Sequence, residues 1–145
     1  MSFIKKQSVG FYFAALAVIA AVVATVFYLI NCNTAYFSNL GVNAVIVGCL
    51  IMAIVLERVY IIGCNKVGVS FVMDVLPLVC GALMMVAFAQ FITARVNSIA
   101  TILSFERNAQ TMSDLSSAII GMICCFVAIL LNIIGSYFKV VKTEE

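Results

Sequence analysis

The sequence has no histidine, no tryptophan, a single proline and little charge, with only 10% of its 145 residues being Asp, Glu, Lys or Arg. Without histidine there is no imidazole to ligate a metal or to act as a general base near neutral pH. The small formal charge of +2 is spread over separated basic residues, so no basic patch is available for nucleic acid. No cofactor or metal ligand set is expected.

The missing charge is replaced by apolar residues, which make up 66% of the chain, and the mean hydropathy is +1.24. A soluble domain is roughly half apolar and about a quarter charged. A water-soluble globule of this size also leaves a large share of its surface exposed. Lipid is the solvent that fits this composition, and a bilayer is the first partner expected.

Four apolar runs, at about residues 10–30, 43–62, 71–93 and 115–138, are each close to the ~20 residues a helix needs to cross ~30 Å of hydrocarbon. Helices are expected rather than strands because each segment must satisfy its own backbone groups. The reading is therefore an all-α, polytopic membrane protein, one four-helix transmembrane domain over residues 1–145.

Orientation follows from Lys and Arg. With the N-terminus in the cytoplasm, Lys5, Lys6, Arg58, Lys66, Lys139 and Lys142 lie inside, and only Arg95 and Arg107 lie outside. Both ends are expected in the cytoplasm and the protein in the cell membrane. Lys5 and Lys6 ahead of an apolar run resemble a signal peptide, but about twenty apolar residues exceed the usual length of such a segment. The first run is read as a retained helix. Cys32 is not expected to be a lipidation site, because Asn31 stands where a small residue belongs.

Helices in lipid associate through close packing and a few interhelical hydrogen bonds. Gly10, Ala14, Ala17, Ala21 and Ala24 form one small-residue stripe, and Ser117, Gly121, Cys125, Ala128, Asn132 and Ser136 form another. Either stripe suits a neighbour within the chain or in a homodimer. Asn132 is expected to form an interhelical hydrogen bond. Arg58 and Asp74 flank the hairpin at 63–69 at similar depth and are expected to pair, with Glu57 joining them or reaching Lys66. Pro77 falls near the start of the third helix, where a missing amide hydrogen is tolerated.

The outer segments are unusual. The first, 31–42, is uncharged and carries Asn31, Asn33 and Tyr36. The second, 94–114, is long, and Ile99, Ile102, Leu103, Ala109 and Met112 recur in it at helical spacing. An amphipathic helix on the outer interface is expected, or else an extension of the third helix, with Ser113 or Asp114 capping the fourth. Asn31, Asn33, Tyr36, Arg95, Asn97, Glu106 and Arg107 form the candidate partner or ligand surface.

Of the six cysteines, Cys49, Cys80, Cys124 and Cys125 fall inside spans, Cys64 is cytoplasmic and only Cys32 faces out. That distribution suits apolar filler better than thiol–disulfide chemistry. A small multidrug exporter would need a glutamate in the first span, which has none. Glu57 and Asp74 are expected near the inner interface, too shallow for a central transport site. No nucleophile–base constellation is present, so an enzyme is not expected.

The stretches Asn31-Cys32-Asn33-Thr34-Ala35-Tyr36-Phe37, Ala94-Arg95-Val96-Asn97-Ser98-Ile99-Ala100 and Asp114-Leu115-Ser116-Ser117-Ala118 resemble a group of small four-span bacterial membrane proteins. The resemblance covers nearly the whole chain and carries no activity or catalytic residue. It implies company with family 3 glycoside hydrolases. The leading expectation is a non-enzymatic accessory or anchoring subunit that docks a partner protein, with a carbohydrate-active enzyme as the implied partner. The alternative is a small dimeric transporter or channel for a polar solute or ion, using Asn132, Gln90 and Asp74.

Overall fold

A segment in hydrocarbon has no water to satisfy its backbone, so the four apolar runs fold as helices. The structure, a computed structural model describing residues 2–68 and 70–142, contains a short α1 (Ser2–Lys5), then α2 (Val9–Cys32), a 3-10 turn at Ser38–Leu40, α3 (Ala44–Lys66), α4 (Phe71–Ser104) and α5 (Ala109–Ser136). Helices α2 to α5 are each long and apolar enough to cross a membrane. Their outward faces carry exposed Leu16, Ile19, Ile51, Leu78, Ile123 and Phe126. Such surfaces suit a multi-pass protein surrounded by lipid.

The four long helices form a square in which α2 packs against α5 and α3, and α4 packs against α3 and α5. Successive helices run antiparallel, and so do α2 and α5. The α2–α5 contact is the most extensive, and it joins the two small-residue stripes within one chain. Gly10, Ala14, Ala17, Ala21 and Ala24 are buried on α2, facing Gly121, Cys125, Ala128 and Gly135 of α5. The approach is close enough that a Cβ added at Gly135 would come within 2.9 Å of Phe13 Cβ. Larger side chains from α3 and α4, including Ile46, Leu50, Met84 and Phe91, fill the remaining core.

Both ends of the described chain meet at one end of the bundle, here termed basal. Ser8 N–H donates to Val140 O at 2.8 Å, Gly10 N–H to Lys139 O at 3.2 Å, and Lys142 N–H to Lys6 O at 2.9 Å. Gln7 and Val141 form an isolated antiparallel bridge. The α3–α4 turn is basal too, and Gln7 Nε2 donates to Asn65 Oδ1 at 2.7 Å. Val69 of that turn lies outside the described residues.

Helix boundaries differ from expectation at three places. Helix α3 continues through Gly63 to Lys66, and the chain turns at Gly68, whose φ is +82°. Helix α4 continues to Ser104, a length of about 51 Å at 1.5 Å per residue. Helix α5 starts at Ala109. Of the two expectations for 94–114, the extension of the third helix is the one that forms, folding back through α5 as a helical hairpin on the bundle, and the helix lying on the interface does not. Ile102 is buried with Phe37 and Leu115, so its apolar stripe is satisfied by protein. The α5 cap is Asn108, not Ser113 or Asp114. Asn108 Oδ1 accepts from Thr111 N–H at 2.9 Å, and Thr111 Oγ1 accepts from Asn108 N–H at 3.0 Å. This reciprocal pair satisfies two amides that the first turn leaves free.

Candidate functional site

Two groups of buried polar side chains stand out against the apolar bundle. The distal group centres on Arg95, nine residues, or about two and a half turns, before the end of α4. It is only 2% exposed, and its burial overturns its expected place on an outer surface. Its Nε donates to Asn31 Oδ1 at 2.9 Å and its Nη2 to Cys32 Sγ at 3.2 Å. The guanidinium lies over Tyr28 at 5.6 Å and over Phe37 at 5.2 Å from the ring centroids. A buried charge is tolerable when neutral acceptors and aromatic faces replace its water.

Asn31 is buried too, and it links three elements. Its Nδ2 donates to Asp114 O at 3.1 Å and to Ser117 Oγ at 3.0 Å. The Asp114 carboxylate in turn accepts Tyr36 N–H at 2.9 Å and Gln110 Nε2 at 2.8 Å. Tyr28 accepts, through its hydroxyl at 2.8 Å, the N–H of Asn43, the N-cap of α3. The first distal loop, α4 and α5 are thus tied into one rigid unit. Cys32, expected to face out, is buried beneath Arg95.

Of the remaining candidate surface residues, Asn33, Asn97, Glu106 and Arg107 are exposed and Tyr36 is half-buried. Burial, and then a hydrogen bond with Glu106, raise the Tyr36 phenol above its ordinary value. Phe105 stands 87% exposed at the hairpin tip beside Glu106 and Arg107. Sequence reasoning missed Tyr28 and Phe37, and it read Ser117 as a packing residue only. The signal for Tyr28 was its three- and four-residue spacing to Asn31 and Cys32, which puts all three on one helix face.

The second group is basal of the first and farther from the helix end than expected. Because α3 reaches Lys66, Glu57 lies nine residues, or about 14 Å, from that helix end. The carboxyl is only 1% exposed. Asn132 Nδ2 donates to its oxygens at 3.2 and 3.4 Å, and the Cys80 thiol reaches it from α4. The expected Arg58–Asp74 pair does not form among the described residues. Arg58 follows Glu57 by one residue and so turns about 100° around the helix to the exposed side, while Asp74 faces the basal cavity. Glu57 likewise meets Asn132 in place of Arg58 or Lys66.

Two cavities adjoin this group. One, of about 400 Å³, opens at the basal end between Tyr60, Asp74, Lys139 and Lys142. The other, of about 500 Å³, is a groove between α4 and α5 along Pro77, Gly81, Met85 and Asn132. Asp74 and Ser136 line both. Gln90 is exposed on α4 and does not line this groove, whereas Asn132 and Asp74 do. Among the described residues no cluster of Cys, Asp and Glu has the geometry to hold a metal ion.

No family model, curated protein or solved structure matches the chain.

Proposed function

We propose that this protein is a non-enzymatic membrane subunit that anchors a partner protein through its distal hairpin. The observation that carries this reading is the length of α4: about 51 Å against ~30 Å of hydrocarbon leaves several turns beyond the apolar layer. Those turns are braced by the buried Arg95–Asn31–Asp114 lattice, and they present Phe105, Glu106, Arg107 and Asn97. A rigid platform with an exposed aromatic beside paired charges suits protein docking, since little ordering cost remains for the contact. The resemblance to small bacterial four-span proteins makes a carbohydrate-active enzyme the partner class to try first.

In this reading the basal end, with Lys5, Lys6, Lys66, Lys139 and Lys142, faces the cytoplasm of a bacterial cell, and the hairpin faces outward. Extraction in mild detergent followed by native mass spectrometry tests the proposal. A stoichiometric protein partner, lost on Phe105→Asp, is the expected result. Only single or self-associated copies, under conditions that keep other membrane complexes intact, would overturn it.

A second reading, a small dimeric transporter, is favoured by one observation, the Glu57–Asn132 pair beside a groove open to the basal end. Buried ionisable groups in spanning helices mark ion or substrate pathways more often than chance. Solute flux in reconstituted vesicles above that of empty liposomes would support this reading, and its absence across a broad panel would end it.

A further inference from the structure

Of the polar residues that line the α4–α5 groove, Asp74 and Ser136 are exposed, while Asn132 is only 4% exposed. Its amide is held in one orientation. Nδ2 donates to the two oxygens of the Glu57 carboxyl at 3.2 and 3.4 Å, which turns Oδ1 away from Glu57 and over Gly81 of α4. A Cβ at Gly81 would come within 2.9 Å of that oxygen, so the space in front of it is the space a glycine leaves. The oxygen accepts no hydrogen bond from any described residue, and Gly81 offers it only a weak Cα–H donor. In an apolar medium an acceptor without a donor is costly, so the groove presents a buried group that a ligand can satisfy.

The rest of the groove fixes the kind of donor. Its other walls, Pro77, Leu78, Ala82, Met85 and Ile133, are apolar, and Leu78 and Met85 are exposed, so a hydrocarbon chain can enter from the lipid side. Ser136 lies one turn basal of Asn132 on the same face of α5. Its hydroxyl donates to Ile133 O at 2.6 Å, which leaves its oxygen as a second acceptor on the groove wall. Asp74, seven residues or about 10 Å before Gly81 along α4, adds a third at the basal mouth. Lys139 and Lys142 line the basal cavity together with Asp74, so the mouth already holds cations and does not draw another. Acceptors in a row, an apolar trough and lysines at the mouth disfavour an ammonium and select a neutral donor. The geometry points to a binding site for a neutral amphiphile with two or more hydroxyl groups on a single hydrocarbon chain, of which a monoacylglycerol is the simplest. One hydroxyl donates to Asn132 Oδ1, another to Ser136 Oγ or Asp74, and the chain lies along Ala82 and Met85. Binding needs no change of charge at Glu57. A single-chain glycolipid offers the same chemistry. This inference rests neither on partner docking at the hairpin nor on transport.

The test uses the full chain in nanodiscs of phosphatidylcholine, irradiated with a monoacylglycerol that carries a diazirine in its chain, and peptide mass spectrometry maps the label. Label is expected on the α4 and α5 peptides that line the groove, around Met85 and Ile133. Unlabelled monoacylglycerol should compete, and the methyl ester of the same fatty acid should need about tenfold more, the scale of the one or two neutral hydrogen bonds it cannot make. Asn132→Leu, which keeps the side-chain volume and removes the acceptor, should erase that tenfold difference. Ala82→Phe fills the trough with Asn132 in place and should abolish labelling of the groove, and thermal unfolding in the same nanodiscs shows whether each variant is folded. Equal competition by an alkyl glucoside would assign the site to hydroxyl headgroups in general, and its failure would assign it to glycerol. Label spread evenly over the outer faces of all four helices, equal competition by the methyl ester, or stronger competition by an alkylammonium of the same chain length would overturn the proposal.

Discussion

Arg95 Nε donates to Asn31 Oδ1 at 2.9 Å inside the distal part of the bundle, where neither side chain reaches the surface. The bond joins α4 to the end of α2, and Asn31 carries it on to α5 through Asp114 and Ser117. Removing the neutral acceptor of such a charged donor costs roughly 1.5–3 kcal/mol. Asn31→Leu should therefore lower the unfolding temperature sharply in detergent, followed by a thiol-reactive fluorophore that reports the buried cysteines. Arg95→Lys should be nearly as damaging, because an ammonium cannot lie flat between the Tyr28 and Phe37 rings. An unchanged unfolding temperature in Asn31→Leu would remove the lattice from the account.

The same arrangement shields Cys32. Its sulfur accepts from Arg95 Nη2 at 3.2 Å beneath the distal loop. In the folded protein a water-soluble maleimide should modify Cys32 slowly, and Arg95→Ala should speed that reaction by an order of magnitude or more. Peptide mass spectrometry reads both rates. Rapid modification of the unaltered protein would contradict the burial.

Glycines divide into two kinds. A Cβ at Gly135 would meet Phe13 Cβ at 2.9 Å, whereas one at Gly48 in α3 would meet nothing within 4 Å. Gly135→Ala should cost roughly 1–3 kcal/mol by forcing α2 and α5 apart. Gly48→Ala should be neutral or stabilise by about 0.5–1 kcal/mol, because alanine loses less backbone freedom in a helix. Thermal unfolding of the two variants side by side checks the difference, and equal effects would argue against the tight α2–α5 contact.

Tyr36 and Glu106 connect the two distal segments with a titratable bond. The folded state raises the Tyr36 phenol, first through burial and then through Glu106, so it prefers the neutral form. That contribution is present below the ordinary tyrosine value of about 10 and is lost as pH rises through the raised value. A difference absorbance titration of the protein against Tyr36→Phe should give a midpoint above 10, and Glu106→Gln should bring it down. A midpoint at or below the ordinary value would mean that the two loops are not joined there.

The four helices could be read from the sequence because hydrocarbon imposes a simple rule on runs such as 10–30, which contain no ionisable group. The α2–α5 stripes were legible for a related reason, since only small residues permit backbones to approach in lipid. The ends of α3 and α4 were not. Hydropathy marks where an apolar run stops, while a helix begins or ends where capping and turn geometry set it, as Phe105 does at the end of α4 and Asn108 with Thr111 at the start of α5. Arg95 misled for a physical reason. A charged residue after an apolar run reads as surface, yet Tyr28, Asn31, Cys32 and Phe37, far away in sequence, supply what water would. Glu57 was read close to a helix end because α3 was ended too early, whereas nine more residues of helix follow it.

The account depends above all on lipid surrounding four crossings, with the ends of the described chain and the 105–108 turn at opposite ends of the bundle. In a cysteine-free background, Phe105→Cys and Lys142→Cys should be labelled by a membrane-impermeant maleimide from opposite faces of sealed vesicles. Labelling of both from one face, with the membrane intact, would contradict the arrangement.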